Sequence, residues 1–113
     1  MAKTTSDLPT KVKVGFADYA IRPFEHLEGQ SRERYGECSH ARSLINIDVN
    51  HGTRKQAKTL LHEIMHAVAA IWDYSDHDKE EDAVQLFSLG IATVWRDNPE
   101  VFAWIGHHLV HGT

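Results

Sequence analysis

His62-Glu63-Ile64-Met65-His66 sets two imidazoles four residues apart, with a carboxylate directly after the first. On a helix, positions four apart lie on one face, so both rings reach a single cation. Glu63 is rotated about a quarter turn from His62. It can therefore contact a water on that cation without ligating the ion. Zinc suits this set, because neutral imidazole is a good ligand and the ion imposes no geometry of its own. The chemistry that follows is hydrolysis: the water's pKa falls to about 7, and Glu63 is the general base as it attacks a carbonyl. The flanks Thr59-Leu60-Leu61 and Ala67-Val68 are uncharged, so the pair is embedded in a helix expected to be otherwise buried.

A catalytic zinc of this kind takes three protein ligands and leaves the fourth position open. The candidates for the third lie some fifteen residues after His66, in Asp78-Lys79-Glu80-Glu81-Asp82. Acids at a helix start also complement the macrodipole, which accounts for most of this cluster. On the helical wheel Glu80 lies nearest the Val84–Phe87–Ile91 stripe, and geometry alone slightly prefers it over Glu81.

These residues need elements to hold them. Val12, Val14 and Phe16 alternate with polar or small residues, the period of a strand, and Tyr19 to Phe24 returns beside it after a turn near Ala17-Asp18. Leu44 to Val49 is the strongest strand, with Tyr35 to His40 able to pair with it as a hairpin. After Gly52 the period changes. Thr53-x-x-Gln56 fits a capping box, and apolar residues recur at helical spacing from Ala57 to Trp72, with a stop near Asp73 to Asp78. A second helix covers Lys79 to about Arg96, with Ala83, Val84, Phe87, Ile91 and Val94 on one face. Asn98-Pro99 starts a third, cap then proline, running to about Leu109. Trp72, Trp95 and Trp104 fall at core-facing positions. Strands first and helices after predict an α+β fold, a small antiparallel sheet packed on about three helices. Residues 1 to 10 are expected to be a flexible N-terminal arm and 11 to 113 a single domain.

Composition narrows the function. The chain has 113 residues, 42% hydrophobic and 25% charged, as in an ordinary soluble domain. Twelve Lys and Arg against 16 Asp and Glu leave a net charge of −4, with no global reason to bind nucleic acid. No run is long and apolar enough for a membrane span, and the first residues lack the apolar stretch of a secretory signal. Cys38 is the only cysteine, so no intrachain disulfide forms, and a cytoplasmic address is expected. Nothing in the pattern compels a particular oligomeric state.

Thr59-Leu-Leu-His-Glu-Ile-Met-His66, preceded by Leu44-Ile-Asn-Ile-Asp48 and followed by an acidic helix start, resembles a small gluzincin. The likeness is to the ImmA/IrrE-like metallopeptidases of phages and mobile elements, over roughly residues 35 to 105. It includes Tyr35-Gly-Glu-Cys-Ser-His40, Val94-Trp-Arg-Asp-Asn-Pro-Glu100 and the register Glu81-Asp-Ala-Val84-Gln-Leu-Phe87-Ser-Leu-Gly90. The chain lacks the extra domains and the fuller Glu-Ala-Asn signature of the longer ImmA-type proteins. The resemblance implies one catalytic zinc on His62, His66 and Glu81, with Glu80 the close rival. It implies Glu63 as the base, and a peptide or protein as substrate. The strand around Ile45 to Val49 is expected to offer its edge to an extended substrate. A donor for the developing oxyanion is also wanted, from among Tyr74, His77, Tyr35 and His40.

Nine histidines invite other readings. His107 and His111 stand at i, i+4 spacing with His108 between them, but without a carboxylate partner they read as an exposed cluster. His26, His51 and His77 read as surface, Cys38 as a buried thiol and His40 as a surface imidazole. A second functional class is a non-catalytic phage protein in which zinc stabilises a protein-binding module. Short length favours it, and the presence of Glu63 favours the peptidase.

Overall fold

The computed structural model describes residues 8–25, 35–74 and 80–113. Four strands, β1 (Lys11–Val14), β2 (Ala17–Phe24), β3 (Gly36–Ser39) and β4 (Leu44–Asp48), precede three helices, α1 (Thr53–Ile71), α2 (Glu80–Asp97) and α3 (Pro99–His111). The fold is α+β, as the order of patterns predicts. Residues 1–7 of the expected arm lie outside the described residues. Leu8 does not belong to a loose arm, since it is buried in the core, and Thr10 accepts a backbone hydrogen bond from Ile21.

The sheet order is β1-β2-β4-β3. β1 and β2 are antiparallel, as are β3 and β4, but β2 and β4 run parallel. The sheet is thus mixed rather than wholly antiparallel. The chain inserts β4 between β2 and β3, leaving β3 at the edge, so the strand expected to offer a free edge is paired on both sides. β4 can occupy that position because Ile45 and Ile47 drive one face into the core beside Val12, Val14, Tyr19 and Ile21. The β1–β2 turn falls at Gly15-Phe16, not at Ala17-Asp18. Gly15 takes φ +61°, which a two-residue hairpin loop asks of its first central residue, and Phe16 is left outside at 83% exposure.

α1 packs between the sheet and the other two helices, with Ala57, Leu60, Ile64, Ala67 and Val68 all fully buried. Its start is not a capping box. Gly52 is the N-cap without a side-chain bond, and Gln56 reaches back through Nε2 to the His51 carbonyl at 2.8 Å. It ends at Asp73, which adopts φ +57°, the left-handed turn that stops a helix. α2 is less embedded than its sequence stripe suggests: Gly90 and Val94 are buried, but Val84 is 55% exposed. Trp95 is also 55% exposed and stacks on Phe102 at 4.6 Å rather than entering the core. Close approach to α1 explains the pattern. A Cβ at Gly90 would lie 2.5 Å from Val68 Cγ1, so the helices meet there while the acidic end of α2 stays outside.

Asn98 is the N-cap of α3 with Pro99 following, but its side chain does not cap. It is buried and bridges to β1: Oδ1 accepts from Lys13 N–H at 2.9 Å, and Nδ2 donates to the Lys13 and Val94 carbonyls, each at 2.8 Å. Asn98→Ala strands those backbone groups and should cost about 3 kcal/mol, read as a lower urea midpoint. Asn98→Asp sets a buried carboxylate oxygen against the Lys13 and Val94 carbonyls and should cost at least as much as the alanine.

Candidate functional site

The sequence makes α1 cross the end of the sheet at a residue without a side chain. A Cβ at Gly36 would stand 2.6 Å from Thr59 Cγ2, 2.9 Å from the Asn46 carbonyl oxygen and 3.3 Å from Glu63 Oε2. This approach hides Thr59 and Glu63 between helix and edge strand, with Glu63 only 6% exposed. His62 and His66, a step around the helix, stay exposed.

Their Nε2 atoms are 3.2 Å apart, and the ring centroids 4.8 Å. Two nitrogens at the zinc–imidazole distance of about 2.0–2.1 Å, at a tetrahedral angle, would be separated by about 3.3 Å. The pair therefore fits two coordination positions of one ion. Among the described residues no group of three His, Cys, Asp or Glu side chains converges as a ligand set. Glu80 and Glu81 are exposed on the first turn of α2, outside the cleft of the histidine pair. His77, Asp76 and Asp78 lie outside the described residues.

The cleft has a volume of about 530 Å³ and is lined by β3, the turn after it and α1. Gly36, Glu37, Cys38, Ser39, His40 and Arg42 form one wall; His62, Glu63 and His66 form the other. Of the four candidate donors for an oxyanion, the cleft holds His40. Tyr35 packs against His51 and beneath Lys55, Tyr74 leans on Phe87, and His77 is outside the described residues. The sequence pattern did not single out Gly36, Arg42 or Tyr19. Tyr19, read as a strand residue, sends its hydroxyl to within 3.2 Å of His40 Nδ1. Only the chain's path, turning back after Ser39 to bring β4 beside β2, reveals that meeting.

Cys38 lies on β3 and is half-buried. Burial, and then the neighbouring Glu63 charge, push its thiol up to about 12. His51 is not a simple surface residue: its Nε2 is 3.5 Å from the buried Asp48 carboxylate. His107 meets the His108 ring edge-on at 88° and the His111 ring at a tilt of 46°, with His107 and His111 exposed as expected.

The class of site is therefore a helix-borne imidazole pair and a sheltered carboxylate facing an edge strand. Neither a family model, nor a curated protein, nor a solved structure matches the chain. The resemblance drawn from residues 35 to 105 rests on the quoted residues themselves. No helix among the described residues is long and apolar enough to cross a membrane.

With its pKa near 12 against an ordinary 9.0, folded Cys38 keeps a proton that the unfolded chain would release. Stability contributed by this group is thus present below pH 9 and is lost as pH rises toward 12. Alkylation by iodoacetamide at pH 8 should run at least a hundredfold, roughly, below a free thiol, because the thiolate is the nucleophile. Glu63→Gln should speed it severalfold by removing the adjacent charge.

Proposed function

We propose that this protein is a zinc-dependent peptide hydrolase of a reducing, cytoplasmic compartment. His62 and His66 hold the ion in this reading, and Glu81 takes the third position in preference to Glu80. The observation that carries it is the 3.2 Å spacing of the two Nε2 atoms beside the cleft that Glu63 also lines. Glu81 is assigned from the Glu81–Val84–Phe87–Gly90 register, not from a contact. A zinc ion held by these residues would supply Lewis-acid polarisation of a carbonyl and lower the pKa of a water.

The chain's own groups carry the remaining work. Glu63 accepts a proton from the attacking water and returns it to the departing amine. The water oxygen joins the carbonyl carbon as the C–N bond breaks, so atoms and charge balance. The shelter of Glu63 under Gly36 limits its rotamers and holds the carboxylate toward the cleft. β3, one of the sheet's two edge strands among the described residues and the one that lines the cleft, has main-chain groups that an extended peptide can pair with. A polar cleft with no large apolar wall suits a substrate held by its backbone.

Metal analysis and incubation with unfolded casein test this reading. One stoichiometric zinc is expected, together with cleavage that Glu63→Gln lowers by about 10²–10⁴-fold while zinc is retained. Unchanged cleavage by a zinc-replete Glu63→Gln overturns the mechanism, and zinc without any cleavage supports the binding module instead. Glu81→Ala should weaken zinc binding far more than Glu80→Ala, and the reverse result reassigns the third ligand.

A further inference from the structure

We propose that His40 is the substrate-contacting hydrogen-bond donor of this site, held in the required tautomer by Tyr19. The proposal rests on the hydrolytic reading above and adds to it the group that meets negative charge developing on the substrate oxygen.

The geometry points there for three reasons. His40 sits in the turn directly after β3 and lines the same cleft as His62, Glu63 and His66. It follows β3, which faces the α1 wall that carries His62 and His66 across the cleft. Its Nδ1 is approached by two X–H groups, the Tyr19 hydroxyl at 3.2 Å and the Cys38 thiol at 3.7 Å. An unprotonated Nδ1 lets both groups donate to it, whereas an Nδ1–H could only donate to the phenol oxygen or the poorly accepting thiol; we infer the first arrangement, with the proton on Nε2, the end of the ring remote from both. Burial raises the Tyr19 hydroxyl above its usual value and Cys38 to about 12, so both keep their protons at neutral pH.

Tyr19 is well built for this. Its residue is 1% exposed in the core of β2, and its ring meets the His40 ring edge-on at 84° with centroids 6.3 Å apart. A buried phenol has little freedom to swing away, so the strand fixes the hydroxyl and the hydroxyl fixes the imidazole. Tyr19 is thus a positioning residue, since it acts through His40 and does not reach the cleft lining itself. Arg42, also on the cleft wall, carries a delocalised charge on an exposed turn.

The test has two arms. Long-range ¹H–¹⁵N spectra of the metal-free full chain, with the His40 signals assigned by their loss in His40→Gln, should show the Nε2–H tautomer. Tyr19→Phe, which keeps the buried ring, should shift that signal toward a mixture of tautomers. An Nδ1–H tautomer in the wild type overturns the proposal, as does indifference to Tyr19→Phe. In the second arm, His40→Gln should keep its zinc and lower kcat on casein by about 10²–10³-fold, with KM within about threefold. Tyr19→Phe should give a smaller fall in kcat, again with zinc retained. Loss of zinc in His40→Gln makes the residue a ligand and overturns the donor role. Cleavage that depends on Glu63 but not on His40 sinks this proposal alone. A wild type that holds no zinc, or cleaves nothing, removes the hydrolytic reading and this proposal with it.

Discussion

Helix α1 meets edge strand β3 at Gly36, where a single added carbon would stand 2.6 Å from Thr59. The rest of the site follows from that approach. It sinks the Glu63 carboxylate between helix and strand, and it leaves the next positions around the helix, His62 and His66, at the rim of a cleft. The same approach makes β3 the opposite wall, so strand backbone, imidazoles and carboxylate share one space. Any larger side chain at Gly36 must push the strand outward or twist the helix, and either movement changes how Glu63 sits. A tightly packed contact of this kind tolerates little added volume.

The bracing of α1 is uneven. The helix is held by the fully buried side chains of Ala57, Leu60, Ile64, Ala67 and Val68. α3 is locked to the sheet through Asn98, whose amide ties Lys13 of β1 to the end of α2. α2 is different. It is anchored where Gly90 lets Val68 come close, while Val84 near its start and Leu89 at its middle face solvent at 55% and 61% exposure. The imidazole pair and Glu63 thus sit on the best-packed helix, and the acidic residues assigned to complete the ligand set sit on the least-packed one. A metal bridging the two helices would add its binding free energy to folding, since ligand sets of this type form only in the native state.

Much of this was legible in the chain itself. The strands, the three helices and the placement of His62, Glu63 and His66 along one side of α1 follow from hydrophobic period and punctuation, which report local structure. Gln56 and Asn98 show where local reasoning fails: both sit at helix starts with capping chemistry, yet each spends its amide on a distant or preceding backbone group. The parallel pairing of β2 with β4 was hidden because strand order is a non-local property. That order removes the edge from Ile45–Val49 and gives it to β3. Trp95 fits a helical stripe but stacks on Phe102 outside, because α2 meets α1 only over part of its length. The Tyr19–His40 contact spans two strands separated by β4, and no spacing rule encodes it.

The central claim is that His62 and His66 grip one divalent ion through nitrogens already 3.2 Å apart. X-ray absorption at the zinc K-edge of the zinc-loaded full chain tests it most directly. The account predicts a first shell of nitrogen and oxygen at about 2.0–2.1 Å with imidazole outer-shell scattering, reduced in either His62→Ala or His66→Ala. A shell dominated by sulfur at about 2.3 Å, or a spectrum indifferent to both substitutions, would contradict it.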